Sequence, residues 1–121
     1  MNDVLWIASF VLCAVYLSGG ALKLGRSHEA LRESLPWVER FDPAAVKLIG
    51  VVEVLGAIGV VLPWLSGVLP VLTPLAACGL VVLQALAIRV HLQRREPRVI
   101  PFNALLLVGA LVLALLRFAE L

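Results

Sequence analysis

Four long apolar runs organise the chain, at roughly residues 4–22, 44–62, 71–92 and 100–118. Each is close to the ~20 residues that a helix needs to cross the hydrocarbon core of a bilayer. The first run ends in Ser18-Gly19-Gly20-Ala21, which resembles a small-residue cleavage site. It opens, however, on Met1-Asn2-Asp3, acidic where a signal peptide carries positive charge, so the pattern predicts a retained span. The connections differ in kind. Residues 26–43 are polar and long, residues 63–70 carry no charge, and residues 93–99 are short and basic. Within the first connection Leu31, Leu35, Val38 and Phe41 recur near helical spacing, with Arg32, Glu33, Glu39 and Arg40 between them. Ser27 offers an N-cap and Pro36 interrupts any helix. This spacing predicts a broken amphipathic segment on the inner membrane surface; the competing reading is a solvated loop with scattered leucines. Asp42 and Pro43 then suit a helix start, as cap and first helical residue.

Composition narrows the class. Of 121 residues 62% are hydrophobic, mean hydropathy is +1.04, and only 15% are charged, against ~25% in soluble domains. A soluble chain of this size lacks the interior to hide so much apolar surface. The expected fold is therefore all-α: an integral membrane four-helix bundle, one domain over residues 1–121, with an interfacial segment between helices 1 and 2. Lys23, Arg26, Arg32, Arg40 and Lys47 flank the first connection and Arg89, Arg94, Arg95 and Arg98 the third, leaving Arg117 alone on the other side. The positive-inside rule puts loops 23–43 and 93–99 in the cytoplasm and both termini and the 63–70 turn outside, for a multi-pass protein of the cell (inner) membrane. Trp6 and Trp64 would then mark the outer interface and Trp37 the inner one. Cys13 and Cys78 lack C-x-x-C spacing and read as small buried hydrophobes. No phosphate loop, nucleophile elbow, metal-ligand spacing or nucleic-acid patch is present, so the expected partner is the lipid bilayer, with no metal and no nucleic acid.

Candidate chemistry centres on Glu53, in the middle of the second run. A carboxylate at that depth costs ~2.5–3.5 kcal/mol on insertion scales. Gly50, Gly56 and Ala57 share its face and let another helix approach. Helical spacing puts the polar and small residues of every span on one face: Ser9, Cys13, Tyr16, Gly20 and Lys23 in the first; Gly50, Glu53 and Ala57 in the second; Thr73, Ala77, Leu80, Gln84, Ala87 and His91 in the third; Asn103, Leu107, Ala110, Ala114 and Arg117 in the fourth. At ~1.5 Å per residue, Glu53 and Gln84 each lie roughly 12–14 Å from the cytoplasmic ends of their spans, and Tyr16 roughly 10 Å. Glu53, Tyr16 and Gln84 are therefore expected to meet near mid-membrane, with Lys23, His91 and Asn103 nearer the mouth of a polar, ligand-binding pocket that opens inward. Two plainer readings stand beside this one. Tyr16, Gln84 and Asn103 serve equally as interhelical glue, and Glu53 as half of a structural ion pair with Lys23.

Several stretches carry a resemblance. Leu22-Lys23-Leu24 after a glycine pair, Ile49 through Pro63 with its Gly-x-x-Glu-x-x-Gly core, Thr73-Pro74-Leu75-Ala76-Ala77 and Ala87-Ile88-Arg89-Val90-His91-Leu92 together resemble the DoxX-like family of small four-helix bacterial membrane proteins. The likeness covers nearly the whole chain. It carries Lys23, Glu53 and His91 and says nothing of Gln84 or Arg89. It implies association with membrane redox complexes, hence a quinone-like or other small amphipathic ligand, no intrinsic cofactor, and a membrane or redox protein as partner. The residues themselves leave two other classes open: a proton-coupled small-molecule transporter, for which a homo-oligomer would supply a missing half, and a non-catalytic assembly partner that uses the 26–43 segment. No nucleophile–base pair stands out for an enzyme acting alone.

Overall fold

The structure, a computed structural model, describes residues 2–121. Helix α1 spans Asn2–Gly25, α2 His28–Ser34, α3 Pro43–Gly59, α4 Leu62–Ser66, α5 Leu72–Gln93 and α6 Ile100–Ala119; a 3₁₀ turn at Pro36–Arg40 joins α2 to α3. Among the described residues four helical stretches are long and apolar enough to cross a membrane: α1, the α3–α4 unit over Pro43–Ser66, α5 and α6. The chain is an all-α, multi-pass membrane bundle. Large apolar side chains such as Ile7, Leu48, Leu55, Val82 and Leu105 stand exposed on its outside, as lipid contact requires.

Two helix pairs build the bundle. Extensive packing joins α1 to α3 and α5 to α6; contacts between the pairs, α3 with α5 and α1 with α6, are sparser. Glycine brings α1 and α3 together. A Cβ on Gly20 would fall 2.7 Å from the Gly50 carbonyl oxygen, closer than real side chains come, so α1 can lie on α3 only if position 20 has none. At one end of the bundle the pairs also close on each other, where Gly56 meets Leu80 and Gly59 meets Ala76.

The second span is broken. A single helix over 44–62 was the expectation; instead α3 ends at Gly59 and α4 restarts at Leu62. Pro63 is the cause, since its ring cannot sit over the carbonyl of residue 59 in a continuous helix. Thr73 repairs the break. Its hydroxyl donates to the freed Gly59 carbonyl at 2.9 Å and accepts the Trp64 N–H at 3.2 Å.

The segment between α1 and α3 follows the predicted breaks. Ser27 caps α2 by accepting from the Ala30 N–H at 3.1 Å, and Pro36 opens the 3₁₀ turn. Asp42 occupies the cap position of α3 without a side-chain bond. The apolar side of the segment turns onto the bundle: Leu31 and Val38 are 0% exposed and cluster with Val46. Lys47 does more than mark an orientation. Its ammonium donates to the carbonyls of Lys23 and Leu24 in the last turn of α1 and of Arg26 just past it.

The two ends of the bundle differ in character. At one, Arg94 reaches Glu39 (3.0 Å) and Arg40 donates to Gln93 (3.0 Å), tying the first connection to the third; this is the basic end. At the other, Arg117 lies wholly buried between Trp6 and Trp64, its guanidinium 5.0 and 4.5 Å from their ring centroids, with bonds to Asn2 and Glu120. These tryptophans clamp a cation and do not simply float at an interface. Cys13 is half-buried, whereas Cys78 is exposed on the outside of the bundle, so only one thiol approaches the expected buried setting.

Candidate functional site

Between the two helix pairs, toward the basic end, lies a cavity of about 500 Å³. It exists because the close approaches at Gly56 and Gly59 are confined to the opposite half, so the pairs diverge from there onward. All six predicted site residues line it: Tyr16, Lys23, Glu53, Gln84, His91 and Asn103.

These side chains fall into three groups. Deepest is a hydrogen-bonded row. Asn103 Nδ2 donates to Gln84 Oε1 at 2.8 Å, and Gln84 Nε2 donates to the Tyr16 hydroxyl at 2.6 Å. Tyr16 and Gln84 were expected near mid-membrane. Asn103, one turn into α6, joins their row because it faces Gln84 across the tight α5–α6 pair. The second group is Lys23 and Glu53, with Nζ 2.6 Å from Oε1 and both side chains about nine-tenths buried. Position 19 makes room for it: a Cβ there would fall 2.9 Å from Glu53 Oε2. The third group lies at the basic end. His91 Nδ1 donates to Glu96 Oε1 (3.2 Å), and Arg94 Nε donates to the same oxygen (3.1 Å). Partial burial pushes the Glu96 carboxyl up, but the bonds from His91 and Arg94 and the Arg94 charge outweigh it and hold the group below its ordinary range.

The remaining wall is apolar: Val15, Ile49, Leu83, Val90, Phe102 and Leu106 among others. The expected inward opening is covered. Leu35, Pro36, Trp37 and Phe41 of the first connection lie across the basic end of the cavity, with Trp37 and Phe41 edge to face at 5.7 Å and the Lys23 ammonium 5.7 Å from the Trp37 ring. Sequence reasoning missed this floor and missed Glu96 as its neighbour. The signal was there in part: Leu31, Leu35, Val38 and Phe41 formed one stripe, and a stripe needs something to cover. At the far end Leu12, Ala57, Leu80, Ala110 and Leu113 pack without a gap large enough to continue the cavity toward Arg117.

An apolar chamber with one row of amide and hydroxyl groups and one internal ion pair can hold the polar end of a small molecule and the start of its apolar body. Tyr16, Gln84 and Asn103 are bonded to one another and Lys23 is paired with Glu53, so this part of the site is formed before anything binds. The model of the DoxX-like family matches residues 7–114, a span that contains every residue of this site. No curated protein and no solved structure matches the chain.

Proposed function

We propose that this chain, which belongs to the DoxX-like family, is a redox-associated membrane subunit whose chamber holds a quinone-like or other small amphipathic molecule. The observation that carries the reading is the convergence of Tyr16, Gln84, Asn103, Lys23 and Glu53 on one cavity with an otherwise apolar wall. Tyr16 and Gln84 hydrogen-bond the polar end, and Glu53 with Lys23 supplies a proton relay toward His91. Among the described residues no group of side chains could hold a metal centre, and in this reading electrons reach such a ligand from a partner protein. In this reading the protein sits in the inner membrane with its basic end in the cytoplasm, where the positive-inside rule puts it.

Gentle extraction in native lipid discs, followed by mass spectrometry of bound small molecules, tests the proposal. A defined amphipathic species should co-purify with the wild type and be depleted in Tyr16→Phe and Glu53→Gln. A chamber that returns only bulk phospholipid in all three preparations would rule the reading out.

A further inference from the structure

Access to the chamber follows from how its boundaries are made. The floor is not a loose flap: Leu31 and Val38 anchor it in their own cluster with Val46, and Glu39 and Arg40 tie it to Arg94 and Gln93. The opposite end is closed by packed apolar side chains beneath the Arg117 clamp. What remains are the two sides, where the helix pairs diverge. On the side where α1 faces α6, Phe102 lines the cavity while 55% exposed, and Val15, Gly19 and Leu106 complete the rim. On the α3–α5 side the rim is Ile49, Leu83 and Leu86, apolar throughout, with Leu86 as exposed as Phe102, so exposure alone does not choose between the sides. Only the first rim has a residue without a side chain, and the Glu53 carboxylate lies directly behind it. No connection joins α1 and α6 directly, and their contact is the sparser kind between pairs, so they can part without straining a turn.

The donors and charges specify the occupant. Asn103 donates to Gln84 and Gln84 to Tyr16, so the row runs one way and ends on a hydroxyl whose own proton has no acceptor among the described residues. Lys23 and Glu53 compensate each other, as do Glu96 and its partners His91 and Arg94. Within the row and the ion pairs, the Tyr16 hydroxyl proton is therefore left to a guest, and the charges are matched. Resting on the occupied chamber proposed above, we infer that it loads sideways from the bilayer through the gap between α1 and α6, and that its occupant is a neutral, membrane-dissolved molecule presenting a carbonyl-type acceptor to Tyr16.

The test uses the full chain in lipid nanodiscs with a decyl-tailed benzoquinone as probe, following stopped-flow quenching of Trp37 fluorescence, with Trp37→Phe as the blank. Val15→Phe and Leu106→Phe over-pack the gap; loading and release should both slow by about tenfold, in equal proportion, as a narrowed passage requires. The paired change Glu39→Gln with Arg40→Gln loosens the floor and should leave both rates as in the wild type. Faster exchange in the loosened-floor variant, or slowing by Leu86→Phe while Val15→Phe and Leu106→Phe do nothing, would overturn the route while the occupied chamber stood. A tail-bearing benzoquinone that never quenches Trp37 in the wild type, together with an empty chamber by mass spectrometry, removes the reading and the route together.

Discussion

Replacing either member of the Lys23–Glu53 pair alone should cost far more than replacing both. The two charges lie 2.6 Å apart with side chains 10% and 9% exposed, so neither can be rehydrated in place. At that distance and an effective dielectric of ~20 their attraction is about 6 kcal/mol. Desolvation of the two ions costs several kcal/mol each and largely cancels it, which makes the net worth of the pair small. Lys23→Met or Glu53→Gln removes the attraction but leaves one ion buried, a loss of roughly 3–5 kcal/mol. The double variant removes both penalties and should be more stable than either single one. Equilibrium unfolding by SDS titration in mixed micelles, run on all four proteins, gives the coupling energy directly. A value below about 0.5 kcal/mol, the level expected of independent sites, would refute the claim that the pair is desolvated and mutually dependent.

Two further changes test the packing that creates the chamber. Gly20→Ala should destabilise by about 1–3 kcal/mol, because the new methyl meets the Gly50 carbonyl and the Val54 backbone, neither of which can swing aside; Gly79→Ala, with nothing within 4 Å, should be neutral or stabilising by up to about 1 kcal/mol. The same unfolding titration reads both, and equal effects would count against glycine-limited approach of α1 and α3. Thr73→Val keeps the shape of the side chain but strips partners from the Gly59 carbonyl and the Trp64 N–H, so it should cost about 1–3 kcal/mol. Faster backbone hydrogen exchange at Trp64 should accompany it, and unchanged exchange would mean that the hydroxyl does not hold the break.

The four spans and the inward faces were legible because lipid enforces a simple code: apolar outside, small and polar inside. Residues at i, i+4 and i+7 along α1 therefore identified Ser9, Tyr16, Gly20 and Lys23, all of which are buried. The same code placed Gly50, Glu53 and Ala57 on α3 and Thr73, Ala77, Leu80 and Gln84 on α5. Features that depend on two distant segments were not legible. The Trp6–Arg117–Trp64 stack needs both ends of the chain and the central turn at once. Lys47 was readable only as a charge near a membrane surface until α1 ended beside it with three carbonyls within reach. Pro63 was visible, but what answers its broken bond, Thr73, is ten residues away on the next helix. The covered floor escaped for a related reason. A stripe of Leu31, Leu35, Val38 and Phe41 suits a membrane surface and a bundle end equally well, and only the third dimension chooses.

The energetics bear on why such groups stand here at all. Glu53, in the middle of its span, adds roughly 2.5–3.5 kcal/mol to the cost of placing that helix in the membrane. The Asn103–Gln84–Tyr16 row returns on the order of 0.6 kcal/mol per interhelical bond. Gly20, Gly50, Gly56 and Gly59 already bring the helices into contact without any polar group. Of the polar contacts, Asn103–Gln84 and Lys23–Glu53 join helices within a pair, and Gln84–Tyr16 alone crosses between the pairs. Packing therefore accounts for the glycines without calling on the polar cluster. A chamber whose amide and hydroxyl row is already bonded, with the Tyr16 hydroxyl proton unassigned, suits the weakly polar guest proposed above.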